Sequence, residues 1–155
     1  MTEEEARRAK KTYDTLCGVL DSDELHYEKD EEKLTIRFGI RGEDIPMDIV
    51  VRIDAERQLI TLLSHLPFTI SEEKRLELAI AVSVVNYKLA DGSFDYDVTN
   101  GHMFFRMTSS FIESDIGSEL FNYMIAISLH TIDEYNDKFL MLDKGLISIE
   151  KFISE

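Results

Sequence analysis

Between Lys33 and Ser64 the chain places an apolar residue at almost every second position. Leu34, Ile36, Phe38 and Ile40 alternate with Lys33, Thr35, Arg37 and Gly39. After a turn at Arg41-Gly42-Glu43-Asp44, residues Ile45, Met47, Ile49, Val51 and Ile53 alternate with Pro46, Asp48, Val50 and Arg52. Successive side chains of a strand point to opposite sides, so this pattern predicts strands that bury one side only. A third strand, Gln58 to Ser64, follows the short turn Asp54-Ala55-Glu56-Arg57. Links this short join antiparallel neighbours, which makes a meander.

Helical periodicity flanks the meander. Ala6, Ala9, Tyr13, Leu16, Cys17 and Leu20 recur at steps of three and four and predict a helix from Glu3 to Leu20. Ser71 is placed to cap a second helix running to about Leu89, with Glu72 and Glu73 in its first turn. From Leu76 this helix is apolar almost all round, so it needs cover on more than one side. That predicts a helix across the sheet with another helix or another subunit over its back.

A hairpin comes next. Phe94, Tyr96 and Val98 alternate with polar residues, Thr99-Asn100-Gly101 makes the turn, and His102 to Ser109 returns. A long helix starts near Ser114 or Ser118 and reaches about Leu142 along Phe121, Ile125, Ser128, Ile132, Tyr135, Phe139 and Leu142. Gly145 stops it, and Ser148 caps a short terminal helix through Phe152. The expectation is one α+β domain over residues 1–155, in the order α-β-β-β-α-β-β-α plus a short C-terminal helix. Its antiparallel sheet has about five strands, with helices packed on one face.

Charge narrows the partners. Aspartate and glutamate number 31 against 17 lysines and arginines, a net of -14. Nucleic acid is bound by neutralising phosphates with Lys and Arg, so it is not an expected partner, and an anionic membrane surface is disfavoured for the same reason. A protein partner or client, basic ones included, fits this balance better. The start Thr2-Glu3-Glu4-Glu5 is the reverse of a basic signal-peptide region, and Cys17 is the single cysteine, so a cytoplasmic protein is expected.

No catalytic, metal or cofactor apparatus emerges from the motifs. The histidines at 26, 65, 102 and 130 never fall at the three- to five-residue spacing of a shared metal, and one cysteine cannot complete a Cys/His zinc site. Asp95 to Gly101 looks like a calcium loop, but an EF-hand begun at Asp95 needs glycine and an acid where Asn100 and Arg106 stand. The seven glycines are scattered, so there is no phosphate-cradling loop. Cys17 lies on the apolar stripe of a helix and reads as an inert packing residue.

The constellation of interest is the second side of the sheet. A sheet with helices on one side leaves its other side open, carrying Lys33, Thr35 and Arg37, Asp48, Val50 and Arg52, and Asp95, Asp97, His102, Phe104 and Arg106. Cross-strand ion pairs in water account for such a surface. Alternatively, Val50 and Phe104 are apolar anchors among Arg37, Arg52 and Arg106, suited to a protein partner. A second functional class, a small-molecule or anion sensor, would use the same three arginines.

The element order, with Asn86-Tyr87, Gly92-Ser93-Phe94, Asp97, Gly101, Phe105-Arg106, Thr131-Ile132-Asp133-Glu134-Tyr135 and the segment Gly145 to Phe152, resembles the bacterial YbjN-like family. That family is similar in fold to type III secretion chaperones. The resemblance implies a non-enzymatic domain, chaperone-like or regulatory, often acidic and often a homodimer. It brings no catalytic residue.

Overall fold

The computed structural model describes residues 1–155, with four α-helices against one six-stranded antiparallel sheet. Helix α1 (Glu3–Ser22) opens on a reciprocal cap. Thr2 Oγ1 accepts from the Glu5 amide at 3.1 Å, and Glu5 Oε2 accepts from the Thr2 amide at 2.7 Å. Strands β1 (Tyr27–Asp30), β2 (Thr35–Arg41), β3 (Pro46–Asp54) and β4 (Leu59–His65) form the meander. A short 3₁₀ turn at Glu72–Lys74 leads into α2 (Arg75–Lys88); β5 (Ser93–Asp97) and β6 (His102–Ser110) follow, then α3 (Ser118–Asp143) and α4 (Ile149–Ser154). Spatial order is β1-β2-β3-β4-β6-β5, so the second hairpin adds to the meander through β6.

Register explains the single core. Ile36, Val51, Leu62 and Met107 face one another across four strands, and Phe38, Ile49, Ser64, Phe105 and Phe94 form the next row across five. Every one of these is buried. Against them α1 presents Ala9, Tyr13, Leu16 and Leu20, while α3 presents Phe121, Met124, Ile125, Ile132, Phe139 and Leu142. Phe94 meets Phe105, Phe139 and Tyr135 edge to face, at centroid distances of 5.0, 5.1 and 6.1 Å. Phe139 also stacks on Phe152, which seats the terminal helix.

Three sequence-based expectations change. The sheet has six strands, not about five, because Tyr27–Asp30 pairs with β2 as an outer strand. It is short, and Glu28, Lys29 and Asp30 give it none of the apolar alternation that marks the others; charge on a border strand discourages further pairing. Ser71 makes no cap: its hydroxyl donates instead to Asp143 Oδ1 at 2.6 Å, tying the turn before α2 to the end of α3. Finally, α2 packs beside β5 and against α3 and α4, at the border of the sheet and not across its middle. Leu78, Ala81, Val82 and Val85 are buried, but Leu76, Ile80 and Tyr87 stand exposed on its outer side.

Two joints fix the loops. Asp133 on α3 accepts from the Glu43 amide with both oxygens, at 3.1 and 3.0 Å, and so pins the β2–β3 turn. In the β5–β6 turn the Gly101 amide donates to the Asp97 carbonyl at 2.8 Å, and Gly101 alone takes a positive φ, +78°. The closing pair is Asp97 with His102, so Val98 leaves the strand and joins the expected Thr99-Asn100-Gly101 turn in a four-residue loop.

Candidate functional site

The side of the sheet away from the helices is bare, and its residues line up in three rows. The middle row runs Arg37, Val50, Leu63, Arg106, Ser93 from β2 to β5. On one side lies the row Thr35, Arg52, Thr61, Thr108. On the other lies Gly39, Asp48, His65, Phe104, Asp95. Neighbouring strands lie about 4.8 Å apart and same-side residues of one strand about 7 Å apart, so this is one patch.

All five residues singled out from the sequence, Arg37, Val50, Arg52, Phe104 and Arg106, fall on it. Val50 and Phe104 do not touch as cross-strand partners, since β4 runs between their strands. Leu63, half-buried, bridges them: it sits opposite both Val50 and Arg106 and diagonal to Phe104. Sequence reading missed Leu63 and His65, although they follow Thr61 in the same phase of β4. Adjacent leucines at 62 and 63 conceal which of the two faces outward.

Two ion pairs cross this face. Arg37 grips Asp48 with two hydrogen bonds, Nε to Oδ1 at 3.0 Å and Nη2 to Oδ2 at 2.6 Å. Arg106 Nη2 lies 2.8 Å from Asp95 Oδ2. The hydrogen bond from Arg37 holds the Asp48 carboxyl below its ordinary range, against an opposing desolvation effect. Both pairs stay partly open to water, so they fix side-chain positions on this face more than they stabilise the fold. Arg52 has no carboxylate within ion-pair distance. Beside Phe104, His65 meets its ring edge-on at 5.6 Å, and a cleft of about 370 Å³ opens among His65, Pro67, Phe68, His102 and Phe104.

A second surface lies on α2. Leu76, Ile80, Ser83 and Tyr87 follow one another at steps of four, three and four along its outer side, with no charged residue among them. Tyr87 is 92% exposed. A groove of about 700 Å³ separates α2 from β5 and is lined in part by Ala79, Val82, Tyr96 and Val98.

Asn86, next to Tyr87, does something different. Its side-chain Nδ2 donates to the Phe94 carbonyl at 2.9 Å, and its Oδ1 accepts from the Phe94 amide at 2.8 Å. The amide thus occupies the outward main-chain groups of the border strand at Phe94, as another strand would there. Elsewhere, the half-buried Cys17 thiol is pushed up in pKa chiefly by desolvation. No three His, Cys, Asp or Glu side chains gather to hold a metal ion, and no helix is long and apolar enough to cross a membrane.

Two layers, with helices over one side of an antiparallel sheet and the other side bare, define an α+β fold shared with solved bacterial proteins. The chain belongs to the YbjN family, described as "Putative bacterial sensory transduction regulator", whose model matches residues 12–141. It is similar to the crystal structure of YbjN from E. coli at 15% identity and a TM-score of 0.58, covering 81% of this chain and 92% of that one. A chain of the ExsC-ExsE complex is similar at 13% identity and 0.54, covering 81% and 90%. One of the HopA1-SchA chaperone-effector complex is similar at 14% and 0.45, covering 88% and 93%. No curated protein matches the sequence.

Four of the residues that carried the family resemblance are joints. Asn86 holds Phe94, Asp97 accepts from the Thr99 amide and hydroxyl, Gly101 turns the hairpin and Asp133 pins the first turn. Tyr87 and Arg106 instead project into water.

Proposed function

We propose that this chain is a non-enzymatic, protein-binding module, chaperone-like or regulatory, that works in the cytoplasm. The observation that carries this is the bare face: Val50, Leu63 and Phe104 lie together, half-buried, among three arginines, with no layer of the fold over them. Arginine and aromatic residues are enriched in protein-recognition surfaces, and this face gathers three arginines and Phe104 around its half-buried apolar centre. Sharing its fold with a chain of a protein–protein complex supports a protein as the occupant.

The test is a double variant, Val50→Asp with Phe104→Asp, used as bait beside the wild type. Proteins retained by the wild type and lost by the variant are the expected result. The same retained set for both overturns the reading.

The same proposal includes a homodimer through α2. A stripe that places Leu76, Ile80, Ser83 and Tyr87 on one line is self-complementary when two copies cross antiparallel, Leu76 of one meeting Tyr87 of the other. Light scattering at micromolar concentration is expected to give twice the 17.9 kDa of one chain, and Leu76→Glu with Ile80→Glu to give one. A monomeric wild type removes the dimer.

The family's sensory description favours one other reading, a small-molecule or anion sensor on the same arginines. Two of the three are already engaged by aspartates, which leaves that reading Arg52. A metabolite that raises the melting temperature by several degrees would move the balance toward it.

A further inference from the structure

The net charge of -14 points to basic partners, yet the bare face itself points the other way. Its central patch holds three arginines, Arg37, Arg52 and Arg106, and two aspartates, Asp48 and Asp95. Both aspartates are spoken for: Asp48 by two hydrogen bonds from Arg37, Asp95 by Arg106. Asp54, at the far end of β3, accepts from the Arg57 amide at 2.9 Å and lies 4.0 Å from its guanidinium. Asp97, at the end of β5, accepts from Thr99. Of the carboxylates on this side only Glu28, on the border strand β1, has neither an ion pair nor a hydrogen bond, and it faces Arg37 across the pair.

Arg52 is the reverse case. It is exposed, unpaired, and flanked in its row by Thr35 and Thr61, with Val50 next on its own strand and Leu63 diagonal to it. A chain laid over this face therefore finds apolar contacts, hydroxyls and one free guanidinium, but no free carboxylate at the centre to hold a lysine or arginine. An exposed, paired cation gains nothing from a second acid unless the first lets go, whereas Arg52 gives its full charge-assisted hydrogen bonds. Long-range repulsion from the acidic remainder of the molecule is screened within about 8 Å at physiological salt, so the local arrangement decides what stays bound.

We infer that the bare sheet face recognises an extended segment whose every second residue, on the side turned to the sheet, is apolar except for one acid, with the carboxylate held by Arg52 and the apolar side chains on Val50, Leu63 and Phe104. This rests on the protein-binding reading and adds the chemistry of the partner. Same-side residues of an extended segment recur about every 7 Å, the spacing of Arg52 and Val50 on β3. One acid beside one apolar residue of the same phase thus matches the face.

Two fluorescein-labelled twelve-residue peptides test it, with the same apolar residues at alternate positions and either glutamate or lysine near the centre of that series. Fluorescence anisotropy is expected to show the glutamate peptide bound more tightly than the lysine one. Arg52→Glu should weaken the glutamate peptide about tenfold or more, the size of a charge-assisted hydrogen bond. Arg7→Glu, an exposed arginine on α1 on the helix side of the sheet, should leave its affinity unchanged and serves as the charge control.

Tighter binding of the lysine peptide overturns the inference, as does equal loss in the two arginine variants. Binding of the lysine peptide that the Val50→Asp, Phe104→Asp variant abolishes would keep the face as a binding site and reject only its acidic preference. No binding of either peptide at millimolar concentration also rejects it.

Discussion

Replacing Phe94 with alanine is expected to lower stability by about 3–5 kcal/mol, the range for a buried phenylalanine cut back to a methyl. Phe94 is 2% exposed and sits where four rings converge, touching Phe105 on its own sheet and Tyr135 and Phe139 on α3. Edge-to-face pairs of this kind add about 0.5–1.5 kcal/mol each beyond the area they bury, and three would be lost together. None of the neighbours can slide into the space, because Phe105 is held by the β6 ladder and Phe139 by Phe152. A domain of this size has about 5–15 kcal/mol in all, so the melting temperature should fall by about 10 °C or more. Tyr87→Ala, on the exposed side of α2, should stay within about 0.5 kcal/mol of wild type. Chemical denaturation of the two variants side by side decides the matter; equal midpoints would mean that the aromatic cluster is not the keystone of the core.

Gly101→Ala should come next, at about 2–4 kcal/mol. Gly101 has φ +78°, where any residue with a Cβ is strained by about 1–2 kcal/mol. The added methyl would also press on the carbonyl oxygen of Ile70, with the Ile70 amide at 3.1 Å behind it. Those are main-chain atoms tied to Gly101 itself by the Ile70 amide-to-carbonyl hydrogen bond at 3.0 Å, so no side-chain rotation relieves the contact. Thermal unfolding should show the loss with the hairpin still formed. A variant as stable as the wild type would show that the hairpin turn and the segment before α2 are free to part.

These two positions also show what the sequence discloses and what it conceals. Strands β2 to β6 were legible because their buried side is apolar at every second residue, and α1 and α3 because theirs is apolar every third or fourth. Tyr27–Asp30 carries one aromatic and three charges, so nothing local marks it; pairing with β2 alone makes it a strand. Ser71 had the identity of a cap but is claimed by Asp143, a residue 72 positions away that no local pattern could bring to it. On the bare face Arg37, Val50, Arg52, Phe104 and Arg106 were readable from phase alone. Their pairing was not: Arg37 and Asp48 lie on different strands, and only register makes one arginine spoken for and another free.

The Asn86 amide that closes off Phe94 has a consequence for how the molecule is assembled. A helix residue is standing in for a seventh strand at Phe94, so the middle of that rim is closed only once α2 has settled beside β5. A newly made chain with both hairpins formed and α2 still loose presents an open, hydrogen-bond-hungry margin, and passing extended chains can zip onto it. Asn86→Ala would leave the Phe94 main-chain groups without that partner even in the folded protein, and its extra tendency to associate in refolding experiments is the expected sign of an unguarded margin.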